Sequence, residues 1–214
     1  METLPVFEKE IEVPQHIESM SREELVFLVL QLISKNEKLR EDLIHDHLTG
    51  LKTRRFLDEE LEMYVGQVHE GEHRKEGYTH ASILILDVDH FKNINDTRGH
   101  PIGDLVLRSV AKTIAEHVRA TDVAARWGGE EFAVLLFGAN EDEAAKKAEE
   151  IREAVEKLDV DPKRYIPVTV SVGVTECIPG VSREELIHKA DVALYEAKNA
   201  GRNRVVRIST IAHE

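Results

Sequence analysis

The sequence has a single cysteine and no long apolar run, and each scarcity excludes a class of protein. Cys177 alone allows neither an internal disulfide nor a cysteine-based metal cluster. The longest apolar run, residues 25–30, is far too short to cross a bilayer. The beginning of the chain is acidic and lacks the basic flank of a signal peptide. We therefore expect no membrane span and a reducing, cytoplasmic location.

Basic residues are also fewer than acidic ones. The chain has 28 Lys and Arg against 41 Asp and Glu, which gives a formal net charge of −13. Such a charge argues against a nucleic-acid polymer as partner, because its phosphates would be repelled. A small nucleotide remains compatible, since a metal ion offsets the local repulsion. The 214 residues, 42% of them hydrophobic, are enough for one domain with a core and an extension.

The first 45 residues predict a flexible arm followed by a helix. Residues 1–20 carry two prolines and little periodicity, and Ser21 with Glu24 then forms a capping box. Apolar residues and one Asn recur at alternating spacings of four and three: Leu25, Val29, Leu32, Asn36, Leu39 and Leu43. This heptad pattern predicts a parallel coiled coil and a homodimer through residues 21–45. The alternative is a helix that packs on its own domain.

The rest of the chain alternates between strand and helix patterns. Strands are predicted at 81–86, 166–174 and 203–208, with a β-hairpin at 123–137. Helices are predicted at 54–68, 101–119, 141–158 and 182–199, and a loop at 71–80. Because one strand pair is a hairpin, the sheet should be mixed. We expect an α/β domain over residues 46–214, with a central mixed sheet wrapped by helices.

Two acidic groups mark the predicted chemistry. Asp87 and Asp89 follow the buried strand, and Glu130 and Glu131 follow the turn Gly128-Gly129. If strand and hairpin are neighbours, these groups converge. Two carboxylates and a backbone carbonyl suit Mg²⁺, or Mn²⁺, and such a site favours phosphoryl or nucleotidyl transfer. Either group alone is more often a solvated strand end.

The segment 89–104 predicts an anion-binding turn between strand and helix. Its backbone N–H groups and Lys92 could meet a phosphate. Asn95 and Asp104 could bind guanine, because an amide satisfies O6 or N3 and a carboxylate accepts from N1–H and the exocyclic amine. Alone, either residue would more often be a cap or turn residue.

Taken together, these segments resemble the GGDEF family, the bacterial diguanylate cyclases. The resemblance spans residues 46–208 and is carried by residues 46–51, 87–104, 119–132, 171–174 and 190–203. It implies a palm-like sheet related to nucleotidyl cyclases. It also implies that two GTP molecules, each held by one domain of a facing pair, condense into cyclic di-GMP and two pyrophosphates.

The resemblance assigns roles by position. Asp87 and Glu130 would bind the metal, helped by the carbonyl of Val88 and by Glu131. Glu130 would also take the proton of the ribose 3′-hydroxyl. The remaining substrate contacts would come from residues of the segments 87–104, 119–132 and 190–203: Lys92, Asn95, His100, Asp104, Gly129, Lys198 and Arg202. Of these, Lys198 and Arg202 would stabilise charge on the leaving pyrophosphate, although both are also ordinary cations at a helix C-terminus.

A second site is implied just before the signature hairpin. Arg119 and Asp122 match the family's inhibitory product site, an Arg-x-x-Asp motif, and arginine fits guanine O6 and N7 bidentately. The resemblance therefore implies inhibition by cyclic di-GMP. The structural alternative is a local ion pair at the end of a helix.

Two other functions stay open on the sequence alone. A catalytically silent cyclic di-GMP receptor would use only Arg119 and Asp122, but such receptors usually lose an acid of the signature turn, and Glu130 and Glu131 are intact. A mixed cyclic GMP-AMP synthase would carry a smaller residue in place of Asp104, so Asp104 favours guanine.

Overall fold

The structure is a computed structural model that describes residues 20–69, 80–161, 166–178 and 180–211. The chain divides into two units, Met1–Glu41 and Asp42–Glu214. The helices are α1 (Arg22–Ile44), α2 (Arg54–His69), α3 (Phe91–Arg98), α4 (His100–His117), α5 (Glu141–Glu156) and α6 (Arg183–Asn199). The strands are β1 (Lys52–Thr53), β2 (Ala81–Val88), β3 (Val123–Arg126), β4 (Glu131–Phe137), β5 (Val170–Glu176) and β6 (Val205–Arg207), and a short 3₁₀ helix follows at Ile208–Thr210.

The six strands form one mixed sheet in the order β1-β3-β4-β2-β5-β6. The central strand β2 pairs antiparallel with both β4 and β5, whereas the outer strands β1 and β6 pair parallel with their neighbours. Every residue of β2 is buried. Burial on both faces explains its almost unbroken apolar sequence, since a strand with one wet face would alternate. The predicted α/β fold with a mixed sheet wrapped by helices is confirmed.

Alternate residues of β2 enter two separate cores, one on each face of the sheet. Leu84 and Leu86 pack in a cluster with apolar residues of α4 and α5, such as Val110 and Ile151. Ile83 and Ile85 belong to the opposite cluster, which also contains apolar residues of α2 and α6: Leu57, Leu61, Leu186 and Leu194. The period-two geometry of a strand thus divides one apolar run between two helical layers.

Helix α6 lies directly against β5 because Gly173 has no side chain. A Cβ at Gly173 would overlap the carbonyl oxygen of Ala190 and the backbone nitrogen of Leu194, and would lie 3.0 Å from the Cα of Leu194. This contact explains the glycine of the Ser171–Val174 segment. It also fixes the position of α6, whose last turn carries Lys198.

The sequence prediction was wrong about the segment after β2. Most of the predicted turn is the separate helix α3, anchored by the buried Phe91 and Ile94 at helical spacing. Two predicted strands also differ from the structure: the strand predicted at 166–174 is β5 at Val170–Glu176, and the strand predicted at 203–208 is the three-residue β6. The predicted loop 71–80 lies, apart from His80, outside the described residues.

Helix α1 begins as predicted. The backbone N–H of Ser21 donates to Glu24 Oε2 at 2.7 Å, and that of Glu24 donates to Ser21 Oγ at 3.3 Å. Exposed apolar side chains occur at the heptad positions Val29, Leu32 and Leu43, and also beyond them, at Val26, Phe27, Leu30 and Ile33. The predicted dimer remains a prediction, and the arm 1–20 lies, apart from Met20, outside the described residues. Within the described ranges, no helix is both long enough and apolar enough to cross a membrane.

Candidate functional site

The two acidic segments meet at one end of the sheet, as the sequence predicted. The register of β2 and β4 places Asp87 opposite Glu131. The backbone N–H of Val88 donates to the carbonyl oxygen of Glu130 at 3.2 Å, so the pairing continues into the turn. Asp87, Glu130 and Glu131 therefore share one location, although Asp87 and Glu130 are far apart in sequence.

Arg126 holds the signature turn in place. Its guanidinium donates to the carbonyl oxygens of Gly128 at 3.1 Å and Gly129 at 2.8 Å, and contacts both carboxylate oxygens of Asp46 at 3.3 Å. Burial acts to raise the pKa of Asp46, but hydrogen bonds from Thr49 and the charge of Arg126 hold it below its usual value. The turn is thereby tied to the segment that follows α1. Arg126 and Asp46 were not among the predicted site residues.

Backbone conformation does not account for the two glycines of the turn. Neither Gly128 nor Gly129 adopts the left-handed conformation. A Cβ at Gly128 would press against the carboxylate of Glu131, whereas one at Gly129 would meet nothing within 4 Å. The turn is thus open above Gly129, where a ligand can approach the backbone closely.

The acidic end of the sheet carries more negative than positive charge. Asp87 is buried and pairs with Lys198, whose Nζ lies 2.8 Å from Asp87 Oδ2. Burial raises the pKa of Asp87, while Lys198 acts against the rise. Burial and the charge of Asp87 likewise raise the pKa of Glu130 and of Glu131. Three carboxylates with raised pKa values are therefore close enough to Lys198 for its charge to act on them.

A fourth carboxylate, Asp191, borders the site and was missed as a functional residue. It lies on α6, and its charge helps to raise the pKa of Glu131. Burial raises its own pKa, and the charges of His188, Arg54 and Lys198 act against this rise. The signal was in the sequence, because Asp191 precedes Lys198 by seven residues and so lies on the same side of the helix.

These donors fit a hard divalent cation. Carboxylate oxygens are what Mg²⁺ prefers, and it usually takes only one or two of them together with waters and substrate phosphates. The excess negative charge at Asp87 and Glu130 favours a cation further. As the side chains stand, no three His, Cys, Asp or Glu groups of the described chain gather closely enough to coordinate a metal by themselves. Asp87 and Glu130 can supply the smaller set.

The residues predicted to bind guanine lie together on α3 and α4. A Cβ at Gly103 would overlap the side-chain oxygen of Asn95, so the Asn95 carboxamide lies against the α4 backbone at the residue that precedes Asp104. Both side chains are half-buried, while Lys92 on α3 and His100 at the start of α4 are exposed. Gly103 is the residue that permits this approach, and its role was not predicted.

Lys198 and Arg202 both lie near Asp87. Lys198 contacts the carboxylate directly. Arg202 follows α6 and is near enough for its charge to lower the pKa of Asp87. The contact of Lys198 and Arg202 with phosphates stays a prediction. In this structure, Lys198 pairs with the carboxylate of Asp87.

Arg119 and Asp122 line a separate cavity of about 190 Å³. Asp122 accepts hydrogen bonds from the backbone N–H groups of Arg119 at 2.9 Å and Phe137 at 3.2 Å. Asp122 is thus fixed by the backbone, and the side chain of Arg119 is exposed. Phe137 ends β4 and Glu131 begins it, so the cavity is about 20 Å from the acidic turn. Glu143 and Lys147 of α5 also line the cavity.

Comparisons with known proteins agree with this geometry. Residues 43–204 match the family model described as "Diguanylate cyclase, GGDEF domain". Similar curated proteins include diguanylate cyclase VdcA of Vibrio cholerae, 40% identical over 173 residues, and diguanylate cyclase A of Treponema denticola, 42% identical over 173 residues. These alignments cover 79% of this chain, and 48% and 46% of those proteins. The chain thus spans about half the length of the curated relatives it matches.

A solved structure with the same fold contains a nucleotide ligand. It is the crystal structure of the coiled coil and GGDEF domain of DgcB from Caulobacter crescentus, in complex with c-di-GMP. The TM-score is 0.79 at 35% identity, and the match covers 86% of this chain and 96% of that one. The diguanylate cyclase SiaD of Pseudomonas aeruginosa, solved with its activator SiaC, is also similar, with a TM-score of 0.71 at 36% identity over 86% of this chain and 70% of that one.

Proposed function

Because the chain belongs to the GGDEF-domain family of diguanylate cyclases, we propose that it condenses two molecules of GTP into cyclic di-GMP. In each half of the reaction, the ribose 3′-oxygen of one GTP bonds to the α-phosphorus of the other, and pyrophosphate leaves. The observation that carries the proposal is the convergence of Asp87 with the Glu130-Glu131 turn beside Lys198. A silent receptor would not need this acidic cluster.

The substrate contacts are proposed residue by residue. Asn95 and Asp104 hold the guanine, with His100 nearby, and Gly129 leaves room for the nucleotide to approach the turn. Lys92, Lys198 and Arg202 contact the phosphates. The Lys198 ammonium can exchange its Asp87 partner for a phosphate oxygen, because both are anionic acceptors within reach of one flexible side chain.

Glu130 is proposed as the group that accepts the proton of the 3′-hydroxyl. Without a cation, burial and the neighbouring Asp87 raise the pKa of Glu130. A metal-bound hydroxyl is already acidified, so the base that takes its proton need not be strong. Asp87 and Glu130, with the carbonyl of Val88 and with Glu131, would hold Mg²⁺ or Mn²⁺. The cation, when bound, would neutralise phosphate charge and acidify a bound hydroxyl. Lys198 and Arg202 stabilise the charge that develops on the leaving pyrophosphate.

The reaction needs two domains, since each holds one GTP. We propose that the chain works as a homodimer through residues 21–45. The exposed apolar side chains of α1 support this, because helices with such surfaces usually bury them against a partner. Dimerisation would raise the effective concentration of one site against the other.

Cyclic di-GMP is proposed as an inhibitor that binds at Arg119 and Asp122. The cavity beside these residues supports a ligand there, and Asp122 is already fixed by two backbone N–H groups. The exposed Arg119 side chain can reach a guanine edge. Since this cavity is separate from the acidic turn, a substitution at one site should impair either product formation or inhibition by the product and leave the other unchanged.

The test is to incubate the purified protein with GTP, ATP and Mg²⁺ and to identify the nucleotide products by mass. Cyclic di-GMP alone is expected, and a mixed GMP-AMP product would overturn the specificity assigned to Asp104. The variant Glu130→Gln should make no product yet still bind cyclic di-GMP, whereas Arg119→Ala should make product and lose inhibition. Cyclic di-GMP binding without any turnover would favour the receptor function instead.

A further inference from the structure

The turn that carries Arg202 has an unusual backbone. Gly201, Arg202 and Asn203 all have positive φ angles, of 111°, 62° and 47°. Only glycine adopts such angles without cost, so two consecutive residues with side chains are held in a conformation that L-residues disfavour. Conformations of this kind persist only where surrounding contacts enforce them.

Asp89 supplies the first of these contacts. Its carboxylate accepts a hydrogen bond from the backbone N–H of Asn203 at 3.0 Å, and from the hydroxyls of Thr169 and Ser171 at 2.7 Å each. Asp89 is buried. With three donors around it, the Asp89 carboxylate holds the backbone of Asn203 in place. Asp87, in contrast, pairs with the side chain of Lys198.

Helix α5 supplies the second contact, through the side chain of Asn203. Arg152 Nη1 donates to Asn203 Oδ1 at 2.7 Å, and Asn203 Nδ2 donates to Glu156 Oε1 at 2.8 Å. Arg152 is itself held by Glu149 and Glu156, at 2.7 and 2.8 Å, and is buried. Asn203 is thus fixed by backbone and by side chain, from two different elements.

We propose that Arg152 and Asp89 are positioning residues that hold the turn 201–203, so that the guanidinium of Arg202 faces the phosphates of the bound substrate. The inference rests on the proposed function, because it concerns the same substrate. Arg202 is already near enough to Asp87 for its charge to act there. A cation held in place before the substrate binds stabilises phosphate charge better than one that must first be ordered.

Arg152 lies on α5 and Asn203 in the turn after α6, whereas the residues proposed to bind guanine lie on α3 and α4. Loss of the positioning contacts should therefore weaken contact with the triphosphate and leave contact with the guanosine part unchanged. A merely structural role would affect both parts of the nucleotide, or neither.

The test measures equilibrium binding of 3′-deoxy-GTP, which lacks the attacking hydroxyl, and of GMP to the full chain with Mg²⁺. Arg152→Ala should bind 3′-deoxy-GTP on the order of 10-fold more weakly, as for one lost charge-assisted contact, with GMP affinity unchanged. Glu149→Ala is the matched control, because it removes a partner of Arg152 without touching Asn203, and it should bind both nucleotides like the wild type.

Two further variants keep the test decisive. Asn203→Gly retains the backbone angle and the N–H to Asp89 but loses both side-chain bonds, so it should repeat the effect even if Arg152→Ala does not fold. Arg202→Ala should show the same loss, and adding Arg152→Ala to it should change little more. The positioning role would be overturned if the ratio of the affinity for 3′-deoxy-GTP to the affinity for GMP were the same in the wild type and in all variants. If the wild type turns over GTP but Arg152→Ala binds 3′-deoxy-GTP as tightly as Glu149→Ala does, only the positioning role is overturned. A wild type that binds no guanine nucleotide would overturn the proposed function as well.

Discussion

Replacing Gly173 by alanine tests how α6 is placed on the sheet. The added methyl would meet the backbone of α6 at Ala190 and Leu194, not the end of a flexible side chain. Since backbone cannot rotate aside, the helix must move away from β5 or the strand must bend. Overpacking of a core typically costs about 1–3 kcal/mol, and we expect Gly173→Ala at the upper end of this range.

The displacement should also reach the acidic site. Helix α6 carries Lys198, whose Nζ lies 2.8 Å from Asp87, and it leads directly into the turn with Arg202. We therefore expect a lower free energy of unfolding in urea together with a lower rate of cyclic di-GMP formation. Both are measured on the same purified variant.

Gly66→Ala is the matched control, because it makes the same chemical change elsewhere. Gly66 lies in α2, and a Cβ there would meet nothing within 4 Å. Alanine should raise the free energy of unfolding by about 0.5–1 kcal/mol, as expected inside a helix. The reasoning is refuted if Gly173→Ala unfolds within about 0.5 kcal/mol of the wild type, the range usual for surface substitutions.

Three further predictions follow from the pKa shifts. Burial raises the pKa of Cys177 to about 12, so the thiol should react with a disulfide reagent at pH 8 only after unfolding, and prompt reaction of the native chain would contradict this. The pKa of Asp46 is lowered, so its contact with Arg126 stabilises the fold above the ordinary pKa near 4 and is lost as the pH falls through the folded value. Asp46→Asn should therefore lower the free energy of unfolding by about 1 kcal/mol at pH 7 and by much less at pH 3, and an equal loss at both would count against it. The pKa of Asp87 is raised, so its charge costs stability as the pH rises above about 4; without divalent ions, Asp87→Asn should melt at a higher temperature than the wild type, and it should lose any stabilisation by Mg²⁺. An undiminished Mg²⁺ response in that variant would exclude Asp87 as a ligand.

The central strand was predictable because burial on both faces leaves a plain sequence signal. Residues 81–86 are apolar apart from Ser82, and the acidic residue that follows them lies near the end of this central strand. What the sequence could not supply was the strand order. Asp87 and Glu131 lie opposite each other because β2 pairs with β4. From the sequence alone, this pairing had to be assumed and could not be predicted.

Helix α3 was missed for a physical reason. Between Phe91 and Arg98 the chain carries two Asn, an Asp and a Thr, which are weak helix formers, and only two buried apolar residues give a periodic pattern. Tertiary packing of Phe91 and Ile94 decides the conformation there. The contact of Asp89 with Asn203 was equally hidden, because it joins residues 114 positions apart and leaves no local pattern.

The short outer strands have a consequence for how copies of this chain can meet. β1 has two residues and β6 has three, so the sheet presents few unpaired backbone groups at either side. Lys52 places a charge on one border, and Arg207, which pairs with Asp142, places another on the opposite border. Such borders resist the addition of a strand from another molecule and so guard against aggregation. In the proposed homodimer, two copies of the sheet could thus be held close together with little tendency for their outer strands to pair.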